Sequence, residues 1–267
     1  MTKQKVFAFI VLIGCIALLI GSYMQWKDKL SSVQGGSSAP VTAVPTPSEE
    51  NDILVKPQLE VERLLTLTAH VDESVQDIFL KRLEDEEGVE LLIVGSSAMK
   101  SGEPGYAERL ESALKDAYGD FVNVSIEAFD GTSTQFIENM SDEIDFAKAF
   151  DVVLFEPFTM TNNGIVVIED QHAHINSFLE KLQSNVEDAV IVLQPPNPLH
   201  QASFYPIQVN ALQSFAKTKG IPYINHWTEW PDQNSDEILA LINEGNMPNH
   251  DGAEIWANAL IDYFIAK

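Results

Sequence analysis

Short apolar runs alternate with amphipathic segments through most of this chain of 267 residues. The runs at residues 90–94, 122–128, 152–155, 189–193 and 222–225 are rich in Val, Ile and Leu and are predicted to be strands. The spacing of apolar residues predicts helices at 59–83, 104–118, 134–150, 167–182, 205–219, 235–242 and 250–265. Because strands that alternate with helices form right-handed crossover units, the pattern predicts a three-layer α/β/α domain with about five parallel strands.

Ligands of such sheets bind beyond the carboxyl ends of the strands, so the loops after the strands are expected to carry function. The first loop contains Gly95 and Ser97, a glycine–serine turn that bends the chain sharply and exposes a hydroxyl. The second loop contains Gly131, and the third contains Asn162 and Asn163.

This ordered set of residues resembles the SGNH (GDSL-type) serine hydrolases over residues 88–267. Members of that family carry Gly-Asp-Ser after the first strand, a glycine after the second, Gly-x-Asn-Asp after the third and Asp-x-x-His before the last helix. The corresponding stretches here are Gly95-Ser96-Ser97, Gly131, the pair Asn162-Asn163, and Glu244 to Met247 followed by Pro248-Asn249. The resemblance implies a flavodoxin-like fold and a serine nucleophile that needs neither a cofactor nor a metal.

The resemblance also implies a function for each matching residue. Ser97 falls at the position of the nucleophile. The backbone N–H groups of Ser97 and Gly131, together with an amide of Asn162 or Asn163, are expected to stabilise the oxyanion.

The sequence departs from the family pattern at the residues that would activate the serine. Met247 stands at the position of the catalytic histidine, and Ser96 stands where aspartate is usual. Methionine cannot take a proton from a serine hydroxyl. His250, three residues further on, is therefore the expected base, and His226 is a second candidate. If neither histidine reaches the serine, the domain binds a ligand without turning it over.

Each of these residues also has a structural interpretation, which the sequence leaves open. Ser97 can cap the helix that follows it, and Gly131 and the pair Asn162-Asn163 can form ordinary turns. His250 can be a solvated residue at a helix start. His226 is expected to be structural more readily than catalytic.

The first residues of the chain predict a membrane segment. Residues 6–24 are apolar and uncharged, long enough to cross ~30 Å of hydrocarbon as a helix. Lys3 and Lys5 precede the segment and favour a cytoplasmic N-terminus. An uncleaved signal-anchor is expected first, with a cleaved signal peptide and a lipoprotein signal at Cys15 as alternatives. All three place the remaining chain outside the cytoplasm.

The chain is therefore divided into an anchor at 1–30, a flexible stalk at 31–57 that is rich in Ser, Gly and Pro, and a hydrolase-like domain at 58–267. The net charge of −24 opposes binding to nucleic acid, because phosphate backbones are bound by clustered cations. His172 and His174 are two residues apart on a predicted helix and face different sides, which argues against a shared metal.

These observations together predict a single-pass membrane protein with an extracytoplasmic serine esterase domain. Its expected substrates are acyl or acetyl esters, with cell-envelope polysaccharide suggested by location and family alone. The alternative is a catalytically degenerate protein of the same fold that binds envelope glycan or supports an assembly complex. The oligomeric state is left open.

Overall fold

The computed structural model describes residues 49–267, so the predicted membrane segment at 6–24 and most of the predicted stalk lie outside the described residues. A parallel sheet lies at the centre of the domain, with the strand order β2-β1-β3-β4. The strands are β1 (Val89–Gly95), β2 (Val122–Ala128), β3 (Val152–Phe155) and β4 (Val190–Leu193). The predicted α/β fold with a parallel sheet is confirmed.

The number of strands was predicted incorrectly, because the described residues form a sheet of four. The segment at 222–225 contributes only an isolated bridge between Leu193 and Tyr223. Gln194 follows β4, and the next two residues, Pro195 and Pro196, carry no N–H group for a ladder. Pairing with the fifth segment therefore stops where β4 ends.

Helices cover both faces of the sheet. They are α1 (Glu49–Leu67), α2 (Glu73–Glu84), α3 (Tyr106–Tyr118), α4 (Ser133–Glu143), α5 (Thr159–Asn162), α6 (Ile168–Gln183), α7 (Tyr205–Lys219) and α8 (His250–Phe264). Short 3₁₀ turns occur at Ser97–Lys100, Gly119–Phe121, Phe146–Lys148, His226–Glu229 and Asp236–Ala240.

Three predicted helices differ from the structure. The one at 59–83 is two helices, because the backbone forms a turn after Leu67 and Asp72 is extended before α2 begins. The one at 134–150 ends at Glu143, and the one at 235–242 is a 3₁₀ turn. Helix α1 also extends into the predicted stalk, where residues 49–56 contain neither Gly nor Pro.

Alternate side chains of the central strand enter two separate apolar cores. Leu91 and Ile93 belong to a core that includes residues of α1, α2, α3 and α8. Leu92 and Val94 belong to a second core with residues of α4, α6 and α7. Because successive side chains of a strand point to opposite faces, the sheet is the middle of three layers.

Within residues 49–267, the structure contains no helix with the length and apolar character needed to cross a membrane.

Candidate functional site

Ser97 begins the 3₁₀ turn that follows β1, which is one of the two inner strands of the sheet. Ser96 before it is buried and extended, whereas Ser97 is partly exposed. In the part of the chain that is described, the N–H group of Ser97 donates to no protein acceptor. The predicted nucleophile therefore lies at the carboxyl end of the sheet with a free amide beside its hydroxyl.

A buried carboxyl group lies beside this turn. Glu156 follows β3, and its Oε2 accepts a hydrogen bond from the Ser96 N–H at 2.8 Å. Burial raises the pKa of the Glu156 carboxyl, and the hydrogen bond from Ser96 and the nearby N–H groups of Phe158 and Thr159 oppose that rise. A Cβ atom added to Gly95 would lie 2.8 Å from the Cβ of Glu156, so the close approach requires a glycine. Sequence reasoning missed Glu156, although it follows a predicted strand directly.

The loop that contains Gly131 is held beside the end of β1. Phe129 donates its N–H to the Gly95 carbonyl at 2.9 Å. The Gly131 carbonyl accepts a hydrogen bond from Thr161 Oγ1 at 2.7 Å. The Gly131 N–H has no protein acceptor among residues 49–267, as is also true of Ser97. The structure thus brings two free amides to neighbouring loops at one edge of the sheet.

Asn162 and Asn163 have different surroundings. Asn162 is buried; its Oδ1 accepts from the Ser133 N–H at 2.8 Å, and its Nδ2 donates to Ser133 Oγ at 3.0 Å and to the Pro157 carbonyl at 3.4 Å. Asn163 is exposed. The Asn162 amide already has partners, and it ties the third loop to the start of α4.

Ser133 is also bonded to a histidine that the sequence did not single out for this site. Its hydroxyl lies 2.8 Å from His174 Nδ1. His172 instead stacks on Phe215 at 4.3 Å between ring centroids, so the two histidines have separate neighbours, as predicted. The sequence does not predict this contact, because Ser133 and His174 lie on different helices.

His250 is the exposed first residue of α8. Its Nδ1 lies 3.2 Å from the Gly102 carbonyl and 3.1 Å from Arg109 Nη2. Among the described residues, no hydrogen bond joins its ring to Ser97. A hydrogen bond between His250 Nε2 and Ser97 requires this nitrogen to leave Arg109 Nη2, which lies 3.3 Å from it.

The loop before α8 is fixed by contacts on both sides. Ser101 Oγ donates to the Pro248 carbonyl at 2.7 Å, and Asn197 Nδ2 donates to the Asn246 carbonyl at 3.0 Å. Asn249 caps α8 by accepting from the Gly252 N–H at 3.0 Å. Met247, at the histidine position of the family, packs partly buried against the first apolar core.

His226 is buried and has a partner at each ring nitrogen. Its Nε2 lies 2.8 Å from the Pro195 carbonyl, and its Nδ1 accepts from Trp230 Nε1 at 3.0 Å. Because the indole can only donate and the carbonyl can only accept, the ring is neutral with its proton on Nε2. Burial lowers the pKa of His226 to about 3. The second candidate base is thus a structural residue, as the sequence favoured.

Comparison with known proteins finds similarity in structure only. No family model and no curated protein matches the sequence. The acetylxylan esterase Axe2 of Geobacillus stearothermophilus is 14% identical, with a TM-score of 0.52 over 66% of this chain and 95% of that chain. A structure from Parabacteroides merdae, described as a GDSL-like lipase, is 12% identical, with a TM-score of 0.55 and coverage of 66% and 95%.

A third similar structure, from Desulfitobacterium hafniense, is described as a lipolytic protein of the G-D-S-L family. It is 16% identical, with a TM-score of 0.52, and covers 66% of this chain and 99% of that chain. At these identities the similarity concerns the fold. The chain has the fold of the SGNH (GDSL-type) hydrolases.

Proposed function

We propose that this domain is a serine esterase of the SGNH type in which Ser97 attacks an ester carbonyl. The observation that carries the proposal is the pair of free backbone amides, Ser97 N–H and Gly131 N–H, on the loops that follow the adjacent strands β1 and β2. Two preorganised N–H donors beside a nucleophile form an oxyanion hole, which is commonly the largest electrostatic contribution to acyl transfer.

The proposed reaction has two steps. Ser97 Oγ bonds to the ester carbon while its proton moves to a base, and the alcohol leaves with that proton. Water then hydrolyses the acyl-enzyme by the same route in reverse. We propose His250 as the base, which takes this position after its Nε2 leaves Arg109.

The proposed substrates are acyl or acetyl esters, including those of cell-envelope polysaccharide. One similar structure is an acetylxylan esterase, an enzyme named for an acetylated polysaccharide. The proposed location is the outer face of the cell membrane, with residues 6–24 as a single-pass anchor. Protease added outside intact cells should release the domain, and its survival beside a digested external control would contradict this location.

A protein that binds envelope glycan or supports an assembly complex without catalysis is the second candidate. Three observations favour it: Met247 stands where the family has its base, the ring nitrogens of His226 both have partners, and the Asn162 amide is bonded within the protein. On this proposal the loops bind a ligand without forming an acyl-enzyme.

A fluorophosphonate probe separates the two candidates. The full-length protein in detergent is treated with the probe and also assayed with p-nitrophenyl acetate. Labelling that is lost in Ser97→Ala and kept in Ser184→Ala, an exposed control, supports the esterase. Absence of labelling together with absence of hydrolysis supports the binding protein.

A further inference from the structure

The carboxyl group of Glu156 is attached to the turn that carries Ser97. Glu156 donates its own N–H to the Val94 carbonyl at 3.0 Å, which continues the pairing of β3 with β1 by one residue. Its side chain then accepts the Ser96 N–H. The residue immediately before the nucleophile is therefore bonded to the residue immediately after the adjacent strand.

Within residues 49–267, one oxygen of the Glu156 carboxyl lacks a hydrogen-bond partner, and no charged group pairs with the carboxyl. It is 1% exposed, and its Oε1 has no hydrogen-bond partner among the described residues. Asp151, also buried, accepts hydrogen bonds from the Arg82 guanidinium and from the Glu90 N–H. Because an unsatisfied buried acceptor costs about 1–3 kcal/mol, stability alone does not account for a carboxyl at residue 156.

The groups that face Glu156 are neutral at physiological pH. Tyr106 of α3 and Tyr205 of α7 are the titratable side chains that interact with it electrostatically, and burial holds the pKa of both phenols well above the usual value. No cation among the described residues forms an ion pair with the Glu156 carboxyl. The Glu156 carboxyl is thus held by backbone N–H groups, among them that of Ser96, and not by an ion pair.

We propose that Glu156 is a positioning residue for Ser97, whose carboxyl takes the place of the acidic side chain missing at Ser96 and holds the Ser96 amide. The inference rests on the proposed esterase function. Occupying the Ser96 N–H fixes that residue in its extended conformation, with φ of −71° and ψ of 168°. The next amide, that of Ser97, is then left free to bind the oxyanion.

The test compares two substitutions of similar length. Glu156→Gln keeps an oxygen acceptor for the Ser96 N–H, whereas Glu156→Met removes it. We expect Gln to leave the rate of fluorophosphonate labelling at Ser97 within about threefold of wild type. We expect Met to lower that rate and kcat by about 100-fold with little change in KM, the lower end of the effect of losing one oxyanion contact. Gln208→Met is the control, because Gln208 is also buried and has an oxygen without a partner among the described residues. It shows the effect of removing a buried polar group away from the Ser97 turn.

A second measurement applies even if the Met variant does not fold. In the full chain, labelled with ¹⁵N-serine in detergent micelles, the Ser96 amide shift should follow the protonation of Glu156 and lose that pH dependence in Glu156→Gln. Two results overturn the inference. One is a folded Glu156→Met variant that the probe labels at the wild-type rate. The other is a Ser96 amide shift with the same pH dependence in wild type and in Glu156→Gln.

The same spectra separate this inference from the proposed function. Acetate, the product of the assay, should shift the Ser97 amide in wild type and not in Glu156→Met. If wild type shows this shift and the Ser96 titration but is neither labelled nor active, the esterase proposal fails while the positioning of the amides stands. If wild type is active but acetate still shifts the Ser97 amide in Glu156→Met, the positioning inference fails while the esterase proposal stands.

Discussion

The imidazole of His226 lies flat against the indole of Trp256, with ring centroids 4.4 Å apart and an angle of 11° between the planes. Trp256 in turn donates its indole N–H to Gln194 Oε1 at 2.8 Å, and Gln194 follows β4. The stack therefore connects the 3₁₀ turn after the fourth strand, helix α8 and the end of the sheet. A histidine in this position contributes to packing. Its protonation should therefore change the free energy of unfolding with pH.

We expect the wild-type protein to lose stability as the pH falls from about 6.5. His226 stays neutral in the native state, where its pKa is lowered to about 3, while the unfolded chain takes up a proton near the ordinary pKa of 6.5. The unfolded state thus binds more protons between these values, and the free energy of unfolding decreases as the pH decreases. The total effect, reached only as the pH falls to the native pKa, is on the order of 5 kcal/mol for a shift of this size.

Urea unfolding at pH 7 and at pH 5 measures this effect. His226→Gln should reduce the difference between the two pH values, whereas His70→Gln, at an exposed position, should keep it. An equal pH dependence in wild type and His226→Gln would show that other groups dominate.

Gly252→Ala should destabilise the domain by about 1–3 kcal/mol, the usual cost of adding an atom to a filled site. A Cβ atom at residue 252 would lie 2.2 Å from the Leu241 carbonyl oxygen and 3.0 Å from the Trp230 ring, so α8 or the preceding loop must move. Gly245→Ala is the matched control, since its nearest contact is a flexible Asn243 oxygen at 3.2 Å. Thermal unfolding of both variants measures the difference, and equal melting temperatures would refute the steric argument.

Asn162→Ala should destabilise the domain by about 2–3 kcal/mol, and Asn163→Ala should be close to neutral. Removal of the Asn162 amide leaves the buried Ser133 N–H without its acceptor. Chemical unfolding measures both variants, and kcat for p-nitrophenyl acetate separates the oxyanion hypothesis from the structural one. If Asn163→Ala alone lowers kcat at unchanged stability, the exposed asparagine is the oxyanion donor.

His250→Ala should lower hydrolysis of p-nitrophenyl acetate by at least ~100-fold if this histidine is the base. Arg109→Ala removes one of the two partners that hold the ring, so it should leave activity intact or raise it. Met247→His places an imidazole at the family position and should do little in a working His250 site. Measurable wild-type activity that survives the loss of His250 would end its assignment as base.

The layered architecture was predictable because it depends on local patterns. Apolar runs of Val, Ile and Leu at β1 and β3 require cover on both faces, and the helices between them leave few other arrangements. The fifth strand was overpredicted because the preference of residues 222–225 for an extended conformation is local. Whether an extended segment joins a ladder depends on the neighbouring strand, and two prolines lie one residue beyond the end of β4.

The candidate site could be predicted in outline and not in its hydrogen bonds. The residue types after each strand, among them Ser97 and Gly131, could be read from the sequence because parallel strands bring their carboxyl ends to one edge. The attachment of Glu156 to Ser96, the partners of Asn162 and the position of His250 beside Arg109 join residues far apart in the chain. Side-chain hydrogen bonds need distances of about 3 Å. Only the packed tertiary structure fixes such distances, because loop conformation and helix register together decide which polar atoms meet.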